Sequence, residues 1–254
     1  MMIKRHIPNI VTLLNLFCGS IAVIFAVHNN FVAASIFVFL GIFFDFFDGL
    51  LARKLNVQSP LGVQLDSLAD MVTSGLVPGI IMFKLLSLSI DTPLFFNGSN
   101  QWNSDFNWSG TFEAWLPLLG LLITLASAYR LAKFNIDEDQ QSYFKGLPTP
   151  ANTLLIVSLP LILEFQNNDI MNSMILNKWI LIVLTLVSCY LLNSNIKLFA
   201  LKFKDWSFKT NAVRYIFIIL TLVFIVMFHF AAIPIVILFY ILLSLFSKTL
   251  TSKE

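Results

Sequence analysis

Four aspartates stand in 26 residues of otherwise apolar sequence: Asp45, Asp48, Asp66 and Asp70. An aspartate at the centre of a membrane helix costs roughly 2.5–3.5 kcal/mol on insertion scales. Four of them need something that neutralises them. Asp45 and Asp48 are spaced i, i+3, and Asp66 and Asp70 are spaced i, i+4, so each pair shares one helix face. Two such helices joined by a short turn could bring all four carboxylates to one point. Clusters built only from oxygen suit Mg²⁺, Mn²⁺ or Ca²⁺. Intramembrane carboxylates also build ion pathways, so a cation transporter or channel is the reading of a different class.

Other residues around the aspartates have defined chemistry. Gly49 follows Asp48 directly, Ala52 lies one turn beyond it, and Gly62 precedes Asp66 by one turn. Small residues in membrane helices allow close helix packing, or they leave room for a ligand. Arg53 offers a planar fork that matches phosphate bidentately, or it anchors the end of a span.

Taken together these positions form D-x-x-D-G-x-x-A-R-x8-G-x-x-x-D-x-x-x-D, met at Asp45, Asp48, Gly49, Ala52, Arg53, Gly62, Asp66 and Asp70. The pattern resembles the signature of the CDP-alcohol phosphotransferases, integral membrane enzymes of phospholipid synthesis. The resemblance implies a reaction in which an alcohol hydroxyl attacks the β-phosphorus of a CDP-linked donor and CMP leaves. It implies that Asp45, Asp48, Asp66 and Asp70 hold two divalent cations, Mg²⁺ or Mn²⁺ with Ca²⁺ as a further candidate. It gives Asp70 the added role of general base. It puts the donor, CDP-diacylglycerol, against Gly49, Ala52, Gly62 and Arg53.

Three more segments resemble membrane-type phosphatidylserine synthases: residues 7–19, with Pro8, Asn9, Thr12, Asn15 and Gly19; residues 128–135, with Arg130 and Lys133; and residues 144–151, with Gly-Leu-Pro-Thr-Pro at 146–150. This implies L-serine as the acceptor and adds Asn9 and Thr12 to the donor site. Serine carries a carboxylate, so its pocket needs a cation. Arg130 and Lys133 are the candidates for the carboxylate or a phosphate; a topology anchor is their other reading. Siblings using glycerol 3-phosphate, inositol phosphate or choline remain the alternative enzymes.

The elements that must position these groups follow from composition. The chain has 254 residues, 57% hydrophobic and 12% charged, against about 25% charged in soluble domains. An all-α integral membrane protein is expected, a polytopic helical bundle forming a single domain over 1–254. No cleavable signal peptide is expected; the first apolar run reads as a span. A span needs about 20 apolar residues. About eight candidates result: 9–28, 31–53, 61–86, 114–134, 147–165, 178–194, 212–230 and 232–248. The last two are separated only near Pro234, as one kinked unit or a tight hairpin.

With the N-terminus inside, 14 of the 16 Lys and Arg residues fall on or near the cytoplasmic side, and only Lys84 and Lys178 on the other. This supports an even count with N-in, C-in topology and a cell-membrane protein whose active site opens at the cytoplasmic face. Residues 87–112 then lie outside, with Trp102, Trp108 and nearby Trp115 as an interfacial belt. Pro148 and Pro150 break any helix at the start of the fifth span. Cys18 and Cys189 read as small apolar residues, not a disulfide. The expected partners are the two substrates, the bilayer and a second copy in a homodimer; no nucleic acid is expected.

Overall fold

The structure, a computed structural model, describes residues 2–90, 115–136, 144–166, 168–198 and 208–251. Most of the expected outer segment, including Trp102 and Trp108, lies outside the described residues. Each of the eight expected segments is helical over most of its described residues. Helix α1 (Met2–Val27) and helix α2 (Phe31–Lys54) form the first hairpin and pack along their length. Asn29 takes φ 61° in the turn, a region asparagine tolerates. The Asn30 side chain caps α2 by accepting from the Ala33 N–H at 3.1 Å, which satisfies an end donor of the helix.

A short turn then reverses the chain into helix α3 (Pro60–Asp70). Ser59 is its N-cap and accepts from the Gly62 N–H at 3.1 Å. Pro60 occupies the first turn, where its missing N–H costs nothing. A π turn (Met71–Leu76) links α3 to helix α4 (Val77–Ser89) without a break. The cause lies in Pro78. It has no N–H for the carbonyl four residues back, and its ring crowds that carbonyl. The freed Ser74 carbonyl accepts instead from the Thr153 hydroxyl at 2.8 Å, and the Gly75 carbonyl from Thr124 at 3.1 Å. Neighbouring helices thus take over the bonds the wide turn gives up.

A 3-10 segment (Leu116–Leu121) runs into helix α5 (Leu122–Ile136). It lies so close to α4 that a side chain on Gly120 would overlap the Phe83 backbone. Helix α6 (Thr149–Phe165) starts at Pro148 with Pro150 in its first turn, so both prolines serve an ordinary helix start. It is largely buried, packing on α2, α4 and helix α10 (Ala232–Thr251). Helices α7 (Asp169–Ile175) and α8 (Lys178–Asn193) meet at 60°. A two-residue strand β1 (Phe144–Lys145) pairs antiparallel with β2 (Lys197–Leu198).

The apolar stretch Val213–Leu245 could be taken for one long span. It is not straight. Phe217 and Phe239 have ring centroids 6.2 Å apart, whereas 22 residues of continuous helix would separate them by about 33 Å. Helix α9 (Phe208–Phe228) and α10 therefore form a hairpin. It turns at His229–Ala231, where His229 has φ 48°, and Pro234 sits in the first turn of α10, past the bend. Among the described residues, four other continuous stretches are long and apolar enough to cross a bilayer: His6–Val27, Phe31–Lys54, Pro60–Ser89 and Leu116–Ile136. The bent α7–α8 pair makes a further one, and α6 is shorter at 17 residues. The core joins α1, α2, α4 and α6 through residues such as Ala26, Ala34, Val38, Ile81 and Ile156. Phe43, Phe46, Leu125 and Val226 face outward, as lipid-facing positions of a multi-pass protein do. Cys18 and Cys189 are free thiols.

Candidate active site

The first three helices bring the aspartates together. One carboxylate oxygen from each of Asp45, Asp48 and Asp66 lies within 4.8 Å of the others. Opposed oxygens around one ion at roughly 2.1–2.4 Å stand up to about 4.2–4.8 Å apart, so the three fit a shared divalent cation. Asp70 is one turn further along α3 and buried, and it stands outside the three that converge. The charged groups acting on Asp45, Asp48 and Asp70 are the other aspartates. An all-oxygen donor set of one sign, held close, is what a hard cation requires.

Two first-helix residues reach into the cluster. The Thr12 hydroxyl lies 2.5 Å from Asp48 Oδ2 and also 3.1 Å from the Pro8 carbonyl. The Asn15 amide donates to Asp70 Oδ1 at 3.2 Å. Thr12 was legible in sequence and Asn15 had no assigned role. The signal available was its spacing: Asn15 is three residues past Thr12, on the same face of an otherwise apolar helix.

The cluster borders an open groove of about 610 Å³ between α1, α2 and α3, within the usual range for ligand sites. All six residues expected at the donor line it: Asn9, Thr12, Gly49, Ala52, Arg53 and Gly62. Asp48 and Asp66 stand in its wall. A Cβ on Gly49 would meet only Arg53, at 3.8 Å, so this glycine leaves space for something other than protein. Gly62 differs: a Cβ there would lie 3.3 Å from both Asn9 Oδ1 and Ser59 Oγ. It serves the α1–α3 approach as well as the groove. Arg53 is exposed, and its Nε donates to the Gly49 carbonyl at 3.0 Å. That leaves both terminal nitrogens for an anion.

Arg130 and Lys133 do not line this groove. They border a separate cavity of about 20 Å³ with Lys145, Leu192 and Ser194, room for a water and little more. Arg130 Nη1 donates to the Lys145 carbonyl at 2.9 Å and to the Leu192 carbonyl at 2.6 Å. The Gly-Leu-Pro segment joins the same junction. Gly146 has φ +73° and its N–H reaches the Ile196 carbonyl at 2.8 Å. Helices α3 and α5 are tied by a Ser67–Asn135 pair, which the sequence alone did not reveal.

Comparison with known proteins adds an independent line. Residues 5–191 match the family model for CDP-alcohol phosphatidyltransferase. A CDP-diacylglycerol--serine O-phosphatidyltransferase of Bacillus subtilis is 33% identical over 171 residues, covering 66% of this chain and 80% of that protein. The yeast protein of the same name (Saccharomyces cerevisiae) is 29% identical over 175 residues, 63% of this chain and 55% of its own length. An archaetidylserine synthase of Methanothermobacter thermautotrophicus is 27% identical over 155 residues, 60% of this chain and 56% of its own. The match thus spans about half of the latter two.

Proposed function

The chain belongs to the CDP-alcohol phosphatidyltransferase family, and on that footing we propose that it is a CDP-diacylglycerol–serine O-phosphatidyltransferase. The observation that carries this is the groove itself: the aspartate cluster opens into a space lined by every residue expected to hold a CDP-linked donor. The names of the relatives above supply serine as the acceptor.

Asp45, Asp48, Asp66 and Asp70 would hold divalent cations, two by analogy with the family; when bound, these supply positive charge to the transferring and leaving phosphates. Asn9, Thr12, Gly49, Ala52 and Gly62 bind the cytidine end of the donor along the groove. Arg53 meets the diphosphate. The serine hydroxyl oxygen attacks the β-phosphorus, the bond from that phosphorus to the CMP oxygen breaks, and the hydroxyl proton passes to Asp70. Alignment of hydroxyl and phosphorus supplies much of the rate, since positioned reactants avoid the entropy of encounter. Arg130 and Lys133 are kept as the proposed partners of the serine carboxylate. Arg130 retains Nε and Nη2 for that purpose.

The proposed setting is a cell membrane crossed by eight spans, with both termini and the groove on the cytoplasmic side and two copies forming a dimer. Eight helical segments and the division of Lys and Arg support the span count and orientation. The test is CMP release by purified protein given CDP-diacylglycerol and, in turn, serine, glycerol 3-phosphate, inositol phosphate and choline. Serine should be turned over fastest. A faster sibling alcohol overturns the acceptor and leaves the reaction class. Release with none of them overturns the class. An archaeol-linked donor run in parallel separates the two lipid types.

A further inference from the structure

Asp70 differs from the other aspartates in what holds it. Its Oδ1 accepts from Asn15 Nδ2, and Asn15 is completely buried. An amide carries a donor at one end and an acceptor at the other. An ionised carboxylate only accepts, so the NH₂ end faces Asp70, and the oxygen end needs a donor behind it. The Thr73 hydroxyl stands there, 2.8 Å from Asn15 Oδ1 and 3.2 Å from the Asn15 main-chain carbonyl. The hydroxyl donating to Oδ1 satisfies the end of the amide opposite the NH₂ that faces Asp70.

Thr73 is itself confined. It is completely buried in the π turn. The helices that meet it present glycines: a Cβ on Gly19 would strike the Thr73 hydroxyl, and one on Gly41 would lie 2.7 Å from Thr73 Cγ2 and 2.9 Å from Asn15 Oδ1. Parts of α1, α2 and the π turn therefore converge on one amide. Neither Asn15 nor Thr73 is among the groove's lining residues.

We infer that Asn15 is a positioning residue for the transfer step, its amide locked by Thr73 so that Asp70 is held by one oxygen and offers the other to the reacting hydroxyl or a cation. This rests on the role proposed for Asp70. A packing role predicts different behaviour: buried polar contacts also hold membrane helices together, and losing them would lower stability without a selective effect on turnover.

The experiment compares Asn15→Ala, Thr73→Val and Thr73→Ser in purified full-length protein, by CMP release and by thermal unfolding with and without Mn²⁺. Thr73→Val removes the hydroxyl and keeps the shape; Thr73→Ser keeps the hydroxyl. Partners that orient an active carboxylate typically cost about 10–100-fold when removed. Asn15→Ala and Thr73→Val should lower kcat by that factor with the donor KM within about threefold of the parent, while Thr73→Ser stays within about threefold in kcat. The rise in Tm on adding Mn²⁺ should shrink in Asn15→Ala. If the parent releases no CMP with any alcohol, the functional reading fails on its own, and the Mn²⁺-dependent Tm still tests the contact. If Asn15→Ala does not fold, the two Thr73 variants decide. Equal kcat in Thr73→Val and Thr73→Ser, or a wild-type kcat and Mn²⁺ response in Asn15→Ala, overturns the inference.

Discussion

The aspartate groove and the Arg130 junction both place charged side chains near the ends of apolar helices, and they use those charges in opposite ways. At the groove three like-charged groups converge within 4.8 Å of one another, and two of them, Asp48 and Asp66, line a space of about 610 Å³. At the junction one nitrogen of Arg130 is shared between two main-chain carbonyls, and about 20 Å³ remains. The first arrangement gathers charge of one sign that a ligand of opposite charge can neutralise. In the second, Nη1 of the guanidinium already bonds carbonyls at the end of α8 and in β1. A charged residue in an apolar segment is therefore informative about function when the protein leaves it unneutralised. It is informative about folding when main-chain carbonyls hold it by hydrogen bonds.

The largest expected effect comes from the groove. Asp66→Asn removes one of the three converging oxygens' charges and should bring CMP release to background while the protein still inserts and folds. EDTA should do the same to the parent, with recovery on adding Mg²⁺ or Mn²⁺. Full activity in EDTA would break the comparison at its root, since the carboxylates would then need another source of neutralisation. Asp70→Asn should lower kcat by about 10²–10⁴-fold, the usual cost of losing a general base, with a smaller effect on donor affinity. An equal fall in affinity would make Asp70 mainly a ligand.

What the sequence revealed follows the same division. Asp45, Asp48, Asp66 and Asp70 were legible because helical spacing alone puts each pair on one face, and the turn between α2 and α3 is short. The groove residues were legible through the family resemblance, Gly49, Ala52, Arg53 and Gly62 from their spacing to those aspartates and Asn9 and Thr12 from the segment 7–19. The helical segments were legible from apolar length. The π turn was not: Pro78 is plain in the sequence, but the turn persists because Thr124 and Thr153, 46 and 75 residues further on, accept the task of bonding its carbonyls. The Asn15–Thr73 contact is likewise 58 residues long in sequence. Pro234 marked the last hairpin only approximately, since the bend comes earlier, at His229–Ala231. The occupied state of Arg130 was also hidden, because main-chain carbonyls have no sequence signal.

Two glycines, one from each region, sharpen the contrast at intermediate effect. Gly49→Ala places a methyl in the groove with no protein neighbour nearer than 3.8 Å. It should leave the Tm unchanged and raise the donor KM, by roughly tenfold if it costs about 1.4 kcal/mol of binding. Gly146 has φ +73°, and a Cβ there would lie 2.8 Å from the Leu192 and Ser194 carbonyls and 2.9 Å from Arg130 Nη1. Gly146→Ala should lower the Tm and the yield of folded protein, with the donor KM of the folded fraction unchanged. Thermal unfolding and donor titration on both proteins check the pair. A reversal, with Gly49→Ala destabilising and Gly146→Ala altering the donor KM, would show that the two regions are not separable.

The smallest effect, and the one that bears most on the acceptor, belongs to Arg130. A guanidinium has five N–H donors in a planar fork, and the two carbonyl contacts use only Nη1. The residue is therefore able to hold the β1–α8 junction and still present Nε or Nη2 to a carboxylate. Lysine keeps the charge and loses the fork. Hydrogen bonds from charged donors contribute about 1.5–3 kcal/mol each, so Arg130→Lys, which replaces some of them, should lower the Tm by a few degrees. If Arg130 also meets serine, the same variant should raise the serine KM by more than the donor KM, by a few-fold. Measuring both KM values and the Tm on one preparation separates the cases. A lower Tm with both KM values unchanged assigns Arg130 to the fold alone and moves the search for the serine cation to Lys133. A donor KM that rises while the serine KM stays put assigns Arg130 to the phosphate instead, and the junction then belongs to the groove it now stands apart from.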